Sequence, residues 1–196
     1  MRLKLKFLTT ALSLTLLGAS MQSCIFVAGA AVGAAAAGAV VFDKRTAKES
    51  ADDKAITEKI EDRLNDNAEI ESSGHIVVAT FNGVVLLAGD VPTQTLQEQV
   101  STIAKTVPGI VKLYNQVVVS GKPSTLSRMN DSYITAKIKT QMVATDSLES
   151  SEIQVVTVAG TVFLMGVVSQ EQASIATDIA QHVSGVVKVV RVFQYN

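Results

Sequence analysis

The chain has 196 residues, 47% apolar and 18% charged, with 17 Lys and Arg against 18 Asp and Glu. One cysteine excludes an intramolecular disulfide scaffold, and two histidines are too few for a usual zinc site. The balanced charge argues against bulk nucleic-acid binding, and the apolar content argues against a disordered chain. The charge is unevenly spread: from Phe7 to Phe42 there is none. Arg2, Lys4 and Lys6 precede an apolar run from Phe7 to Leu17, and Gly18, Ala19 and Ser20 follow it. A positive start, a short apolar core and small residues are the layout of a secretory signal.

The segment ends at the only cysteine, as Met21-Gln22-Ser23-Cys24. These residues resemble the end of a bacterial lipoprotein signal. The resemblance implies a diacylglycerol group on the Cys24 sulfur, cleavage before Cys24 and acylation of the new amino group. Residues 1–23 would then be a signal peptide, and residues 24–50 a lipid anchor and tether. Two or more acyl chains give stable membrane anchoring. In this class an Asp after the cysteine retains the protein at the inner membrane. Ile25 stands there instead, which implies the outer membrane. Residues 25–42 are uncharged and approach the length of a spanning helix. Gly29 and Gly33 have the spacing of a close helix-packing face. Eleven of the eighteen are Ala or Gly, so the segment is weakly hydrophobic and reads as a tether or membrane-surface segment rather than a span.

Beyond the tether the sequence repeats itself. Asp53–Ile60 (DKAITEKI) returns as Asp131–Ile138 (DSYITAKI), and Glu71-Ser72-Ser73 as Glu149-Ser150-Ser151. Asn82–Gly89 returns as Ala159–Gly166, and Val107–Lys112 as Val183–Lys188. The order is kept and the offset drifts only from 78 to 76, which marks a tandem duplication.

Each copy gives one reading. Ile56, Ile60 and Leu64 lie four apart, as do Ile134, Ile138 and Met142, so each set predicts one face of a helix. Ile76–Phe81 and Val84–Val91 predict two strands joined at Asn82-Gly83, the strongest short hairpin signal. Ile153–Val158 and Val162–Val168 repeat them around Ala159-Gly160. Leu96, Val100, Ile103 and Val107 predict a second helix, matched by Ile175, Ile179 and Val183. Ile110–Val119 and Val186–Tyr195 close the copies as strands. The fold class is α+β: two tandem domains, residues 51–120 and 125–196, each helix-strand-strand-helix-strand. In each, a small mixed sheet is covered on one face by two helices.

This order, with Gly83–Gly89, Gly109-Ile110 and Asn115, and again Gly160–Gly166 and Gly185-Val186, resembles the BON domain of bacterial osmotic-stress and envelope proteins. Arg191 stands where the first copy has Asn115. With Cys24 and two copies, nearly the whole chain resembles a dual-BON envelope lipoprotein. The resemblance implies phospholipid binding, a link to outer-membrane integrity and the division site, and a lipid-contacting aromatic at the start of the second domain's first helix.

No catalytic set, metal site or cofactor motif is readable, so the chain is not expected to be an enzyme. His75 and His182 occupy non-equivalent places and read as surface residues. Asp52-Asp53 and Glu58-Glu61-Asp62 read as a solvated helix face, and the glycines as turn and close-packing positions. Residues 43–120 hold 8 basic and 12 acidic residues, and residues 121–196 hold 6 of each. Lys122, Arg128, Lys137 and Lys139 precede residue 145 against Asp131 alone, with Met129, Tyr133 and Ile134 among them. A basic helix carrying an aromatic ring suits an anionic membrane surface. The expected phospholipid contacts are therefore Arg128, Met129, Tyr133, Ile134, Lys137 and Lys139. The first copy has Ala55 for Tyr133 and Glu61 for Lys139. The expected partner is an anionic phospholipid membrane, at the periplasmic face of the outer membrane. The alternative is a periplasmic adaptor that recruits an envelope protein through the acidic first domain. No nucleic acid is expected.

Overall fold

The computed structural model describes residues 45–196; the signal-like segment, Cys24 and the tether to residue 44 lie outside them. Thr46 opens helix α1 (Ala47–Asn65): its hydroxyl takes the Glu49 amide, and the Glu49 carboxylate takes the Thr46 amide. That reciprocal cap starts the first domain inside the stretch read as tether. A short helix, α2 (Ala68–Ser73), follows, capped by the Asn67 side chain and not foreseen from the sequence. Then come strand β1 (His75–Phe81), β2 (Val84–Val91), helix α3 (Gln94–Lys105) and β3 (Lys112–Val119). The second copy gives α4 (Thr125–Val143), a 3₁₀ turn at Ser150–Glu152, β4 (Ile153–Val158), β5 (Thr161–Val168), α5 (Gln170–Gln181) and β6 (Lys188–Tyr195).

Both sheets are mixed, as expected. β1 pairs antiparallel with β2 and β2 parallel with β3; β4, β5 and β6 repeat this. The registers match: Leu87 lies opposite Asn115, and Leu164 opposite Arg191. Leu87 and Leu164 are both fully buried. The third strands begin two residues later than expected. Gly109 and Gly185 turn the chain at φ +93° and +94°, and Ile110 and Val186 pack against the cores as connectors.

The helix faces follow the predicted spacing in α1 and α4, where Ile56, Ile60, Leu64, Ile134, Ile138 and Met142 are buried. In α5 the buried face differs from the expectation. Ala173, Ala176, Thr177 and Ala180 point inward, while Ile175 and Ile179 are only half-buried. The small side chains let α5 sit close to its sheet, which moves the isoleucines to the margin of the core. In α3 the same shift puts Ala104 inside and leaves Ile103 at the margin.

Neither sheet leaves its second face to solvent. Leu86, Ala88, Phe81 and Ala79 from the first copy pack with Phe163, Met165, Val158 and Val192 from the second. Gln194 Nε2 also donates to the Phe81 carbonyl at 3.4 Å. The layers run helices, sheet, sheet, helices. This explains why Val84–Ala88 and Val162–Met165 are unbroken apolar runs: central strands covered on both faces need no alternation.

One expectation is corrected at the first hairpin, and the second hairpin repeats the arrangement. Asp53, read as solvated, is buried; its carboxylate accepts the Asn82 and Gly83 amides at 2.7 and 2.8 Å. Asp131 does the same for Ala159 and Gly160, at 2.9 and 2.8 Å. Both turns have positive φ at both central residues, +48° and +72°, the geometry that matches strand twist. The carboxylate thus locks the first helix of each domain to its hairpin. Asp52 behaves as expected, pairing with Lys48 on the surface at 2.7 Å.

Candidate lipid-facing site

Helix α4 follows Pro123, and Ser124 caps it by taking the Ser127 amide at 3.2 Å. Asp131, Ile134, Ile138 and Met142 face the core. At 3.6 residues per turn, Leu126, Met129, Tyr133 and Lys137 fall on one line along the opposite side. Leu126, Met129 and Tyr133 are 75%, 65% and 61% exposed. The Lys137 ammonium lies 6.0 Å from the centre of the Tyr133 ring. The stripe therefore ends in a cation over an aromatic face, with three large apolar groups in water. Val187, 81% exposed, stands at the same end of the domain. Its neighbour Gly185 abuts Ile134 and the Asn130 side chain, and Val187 itself abuts the Gly160 turn.

The structure does not bring all six expected residues together. Ile134 is fully buried and touches Gly185, so it belongs to the core and is withdrawn from the site. Its place in the DSYITAKI repeat already marked the core spacing. Arg128 and Lys139 lie roughly 120–140° around α4 from Tyr133, on the other flank. Lys139 is half-buried, and burial pushes its ammonium below the ordinary lysine range. Arg128 reaches the Thr125 hydroxyl at 3.4 Å and lines a cleft of about 340 Å³ with Lys122, His75, Glu61 and Glu71. Lys122 donates to the Ser72 carbonyl there at 3.2 Å. His75, read as a surface residue, is half-buried in this cleft. Burial first, then the nearby Arg128, lowers its pKa below the ordinary 6.5. Met129, Tyr133 and Lys137 remain as one face.

Leu126 and Val187 were missed. Leu126 was legible: it precedes Met129 by three and Tyr133 by seven, a helical spacing. Val187 was not, because its exposure depends on the Gly185 turn, and it does not set the copies apart, since its equivalent Val111 is 76% exposed. The first copy is the internal comparison. Thr46 and Ser124 are equivalent caps, so Leu126, Met129, Tyr133 and Lys137 correspond to Lys48, Ala51, Ala55 and Lys59. All four are exposed, and none is a large apolar group. The fold does not require an apolar stripe at this place, since one copy folds without it. Among the described residues no helix is long and apolar enough to cross a membrane, and no acid, histidine or cysteine cluster could hold a metal.

The profile of the BON domain family matches residues 52–121 and 130–196. A protein of Haemophilus influenzae named outer membrane lipoprotein DolP is 37% identical over 182 residues, 92% of this chain and 93% of that one. A 21 kDa hemolysin of Actinobacillus pleuropneumoniae is 33% identical over 78% of this chain and 79% of its own. The osmotically-inducible protein Y of Escherichia coli is 36% identical over 70% of each.

Proposed function

We propose a membrane-surface function for this chain, which belongs to the BON domain family: it is a non-enzymatic outer-membrane lipoprotein that binds anionic phospholipid through its second domain and supports envelope integrity. Cys24 is the anchor, and it sits on the periplasmic leaflet. The similarity to an outer membrane lipoprotein over nearly the full length supports the location. The anchor rests on the signal-like layout ending at the only cysteine.

One observation carries the lipid reading: Leu126, Met129 and Tyr133 form an exposed apolar stripe, with the half-buried Lys137 at its end, that the sister helix α1 lacks. Apolar side chains enter the boundary between headgroups and acyl chains, while Tyr133 keeps its hydroxyl wet. Lys137 supplies the attraction to phosphate, worth about 1 kcal/mol near an anionic surface. Binding is two-point, a covalent anchor plus a helix laid on the leaflet. The first helix, with Lys48, Ala51 and Ala55, stays in water.

The test is an NMR titration of residues 45–196, which contain both cores and the sheet–sheet junction, with phosphatidylglycerol micelles. The amides of Leu126, Met129, Tyr133 and Lys137 should shift and broaden while those of α1 stay still. Shifts spread equally over both domains, or confined to the first, would refute the reading.

A further inference from the structure

β3 and β6 are equivalent outer strands, each paired on one side only, but their free edges are finished differently. In β3 the Val117 amide donates to the Asn115 side chain at 3.1 Å, and the Val117 carbonyl accepts from Gln97 Nε2. Both outward backbone groups of Val117 are therefore occupied by the domain's own side chains. That closes the edge to a further strand. Phe193 holds the equivalent place in β6, since Val117 lies opposite Gly89 and Phe193 opposite Gly166. The residue two before it is Arg191 instead of Asn115. The position matching Gln97 is Ala173, buried and too short to reach an edge. Among the described residues no side chain meets the Phe193 amide or carbonyl. By strand alternation the backbone groups of Val189, Arg191 and Tyr195 point the same way.

The replacement also changes the charge of the edge. Arg191 is exposed and donates through Nε to the buried Thr177 hydroxyl at 2.8 Å. Among the described residues no carboxylate lies within ion-pairing distance of its guanidinium. Lys188 begins the same strand, which has no acid. Phe193 and Tyr195 lie on Arg191's side of the sheet, rings 6.4 Å apart, with Tyr195 half in water.

From the open β6 edge, its unpaired Arg191 and the closed equivalent edge in β3, we infer that β6 is a docking edge for an extended acidic segment of another protein, added as a fourth strand of the second sheet. Backbone hydrogen bonds at Val189, Arg191, Phe193 and Tyr195 supply the affinity. A carboxylate beside Arg191, followed by an apolar side chain against the exposed Tyr195, supplies the selection, while Phe193 is buried in the domain's own core. A second copy of this chain is the poorer occupant, because its β6 brings Lys188 and Arg191 to an edge that already carries both. The inference is independent of the lipid reading, since β6 and the α4 stripe share no residue.

The probe is an end-capped peptide of alternating Val and Thr with two central Glu, compared with one carrying Lys at those places. Residues 45–196 are used, with amide exchange followed by NMR. The Glu peptide should slow exchange of the Val189, Phe193 and Tyr195 amides by about tenfold or more, leaving Val117 unchanged. The Lys peptide should bind about tenfold more weakly. Arg191→Glu should reverse that order. Arg191→Asn should return a side-chain acceptor to the Phe193 amide and abolish protection by either peptide; both changes are at an exposed position. Equal protection of β3 and β6, indifference to peptide charge, or protection that appears with rising protein concentration and no peptide would each overturn the inference.

Discussion

Asp131 does two jobs with one side chain: it sits on the buried face of α4 and accepts two turn amides of the β4–β5 hairpin. Removing the carboxylate strands the buried Gly160 amide, at about 1–3 kcal/mol, and the part-buried Ala159 amide, at less. Asp131→Ala should destabilise the second domain by roughly 2–4 kcal/mol in urea unfolding. Asp53→Ala should cost at least as much, because Asp53 also holds Arg45 at 2.6 Å, and Arg45 covers the Phe81 ring. A loss under about 0.5 kcal/mol, typical of solvated positions, would contradict both. At the turn itself Ala159 is held at φ +48°, where a Cβ is strained. Ala159→Gly should stabilise the protein by about 1 kcal/mol, read as a raised urea midpoint. The alignment of DKAITEKI with DSYITAKI already put the two aspartates in register. Their burial was not legible, because a charged Asp within a helix looks solvated until the hairpin's amides are placed against it.

α4 was legible in its core face and its exposed aromatic, and illegible in its flanks. Ile134 and Tyr133 are neighbours in sequence but face opposite ways, and spacing separates them once the core positions Ile138 and Met142 are fixed. The cations could not be sorted that way. Lys137 and Lys139 are both half-buried, but Lys137 joins the Tyr133 stripe, whereas Arg128 meets the first domain's cleft and Lys139 lies on that same flank. Lys137→Ala should therefore weaken binding to anionic vesicles by about 1 kcal/mol, less at high salt. Lys139→Ala should change it far less, and Lys59→Ala in the sister helix hardly at all; sedimentation with phosphatidylglycerol vesicles measures all three. The cleft has its own signature in pH. His75 is held below its ordinary 6.5 by burial and Arg128, with Lys122 acting the same way and Asp90 and Asp131 opposing. The unfolded chain thus takes up the proton first, and His75's contribution to stability is lost as pH falls below about 6.5. Between about pH 7 and pH 5, His75→Gln should show a smaller fall in urea midpoint than the wild type. An equal fall would place the acid sensitivity elsewhere.

The two copies are one folded body, because each sheet uses the other to cover its second face. The unbroken apolar runs of β2 and β5 carried that information, although helices on one face alone were expected. A continuous run says that both faces are covered without saying by what. Met165 is fully buried at this junction, beside Leu86 and Phe163. Met165→Asp would bury a charge without a partner and should lower stability by about 3 kcal/mol or more. Both domains should lose stability together, seen as one shifted transition by intrinsic tyrosine fluorescence and by circular dichroism. Two separate transitions, with the first domain unmoved, would contradict the shared core. Outside the described residues, the anchor rests on Cys24. Labelling cells with a radioactive fatty acid should mark the wild type and leave Cys24→Ala unmarked.

The central claim is that the second domain meets an anionic bilayer through the exposed stripe of α4, and co-flotation with vesicles tests it most directly. Residues 45–196, which lack Cys24 and most of the tether, are mixed with phosphatidylcholine vesicles with or without phosphatidylglycerol. The wild type should float only with the anionic vesicles, Tyr133→Glu should stay at the bottom with an unchanged urea midpoint, and Ala55→Glu in the sister helix should float as the wild type does. Flotation of Tyr133→Glu equal to the wild type, or loss of flotation in Ala55→Glu alone, would contradict it.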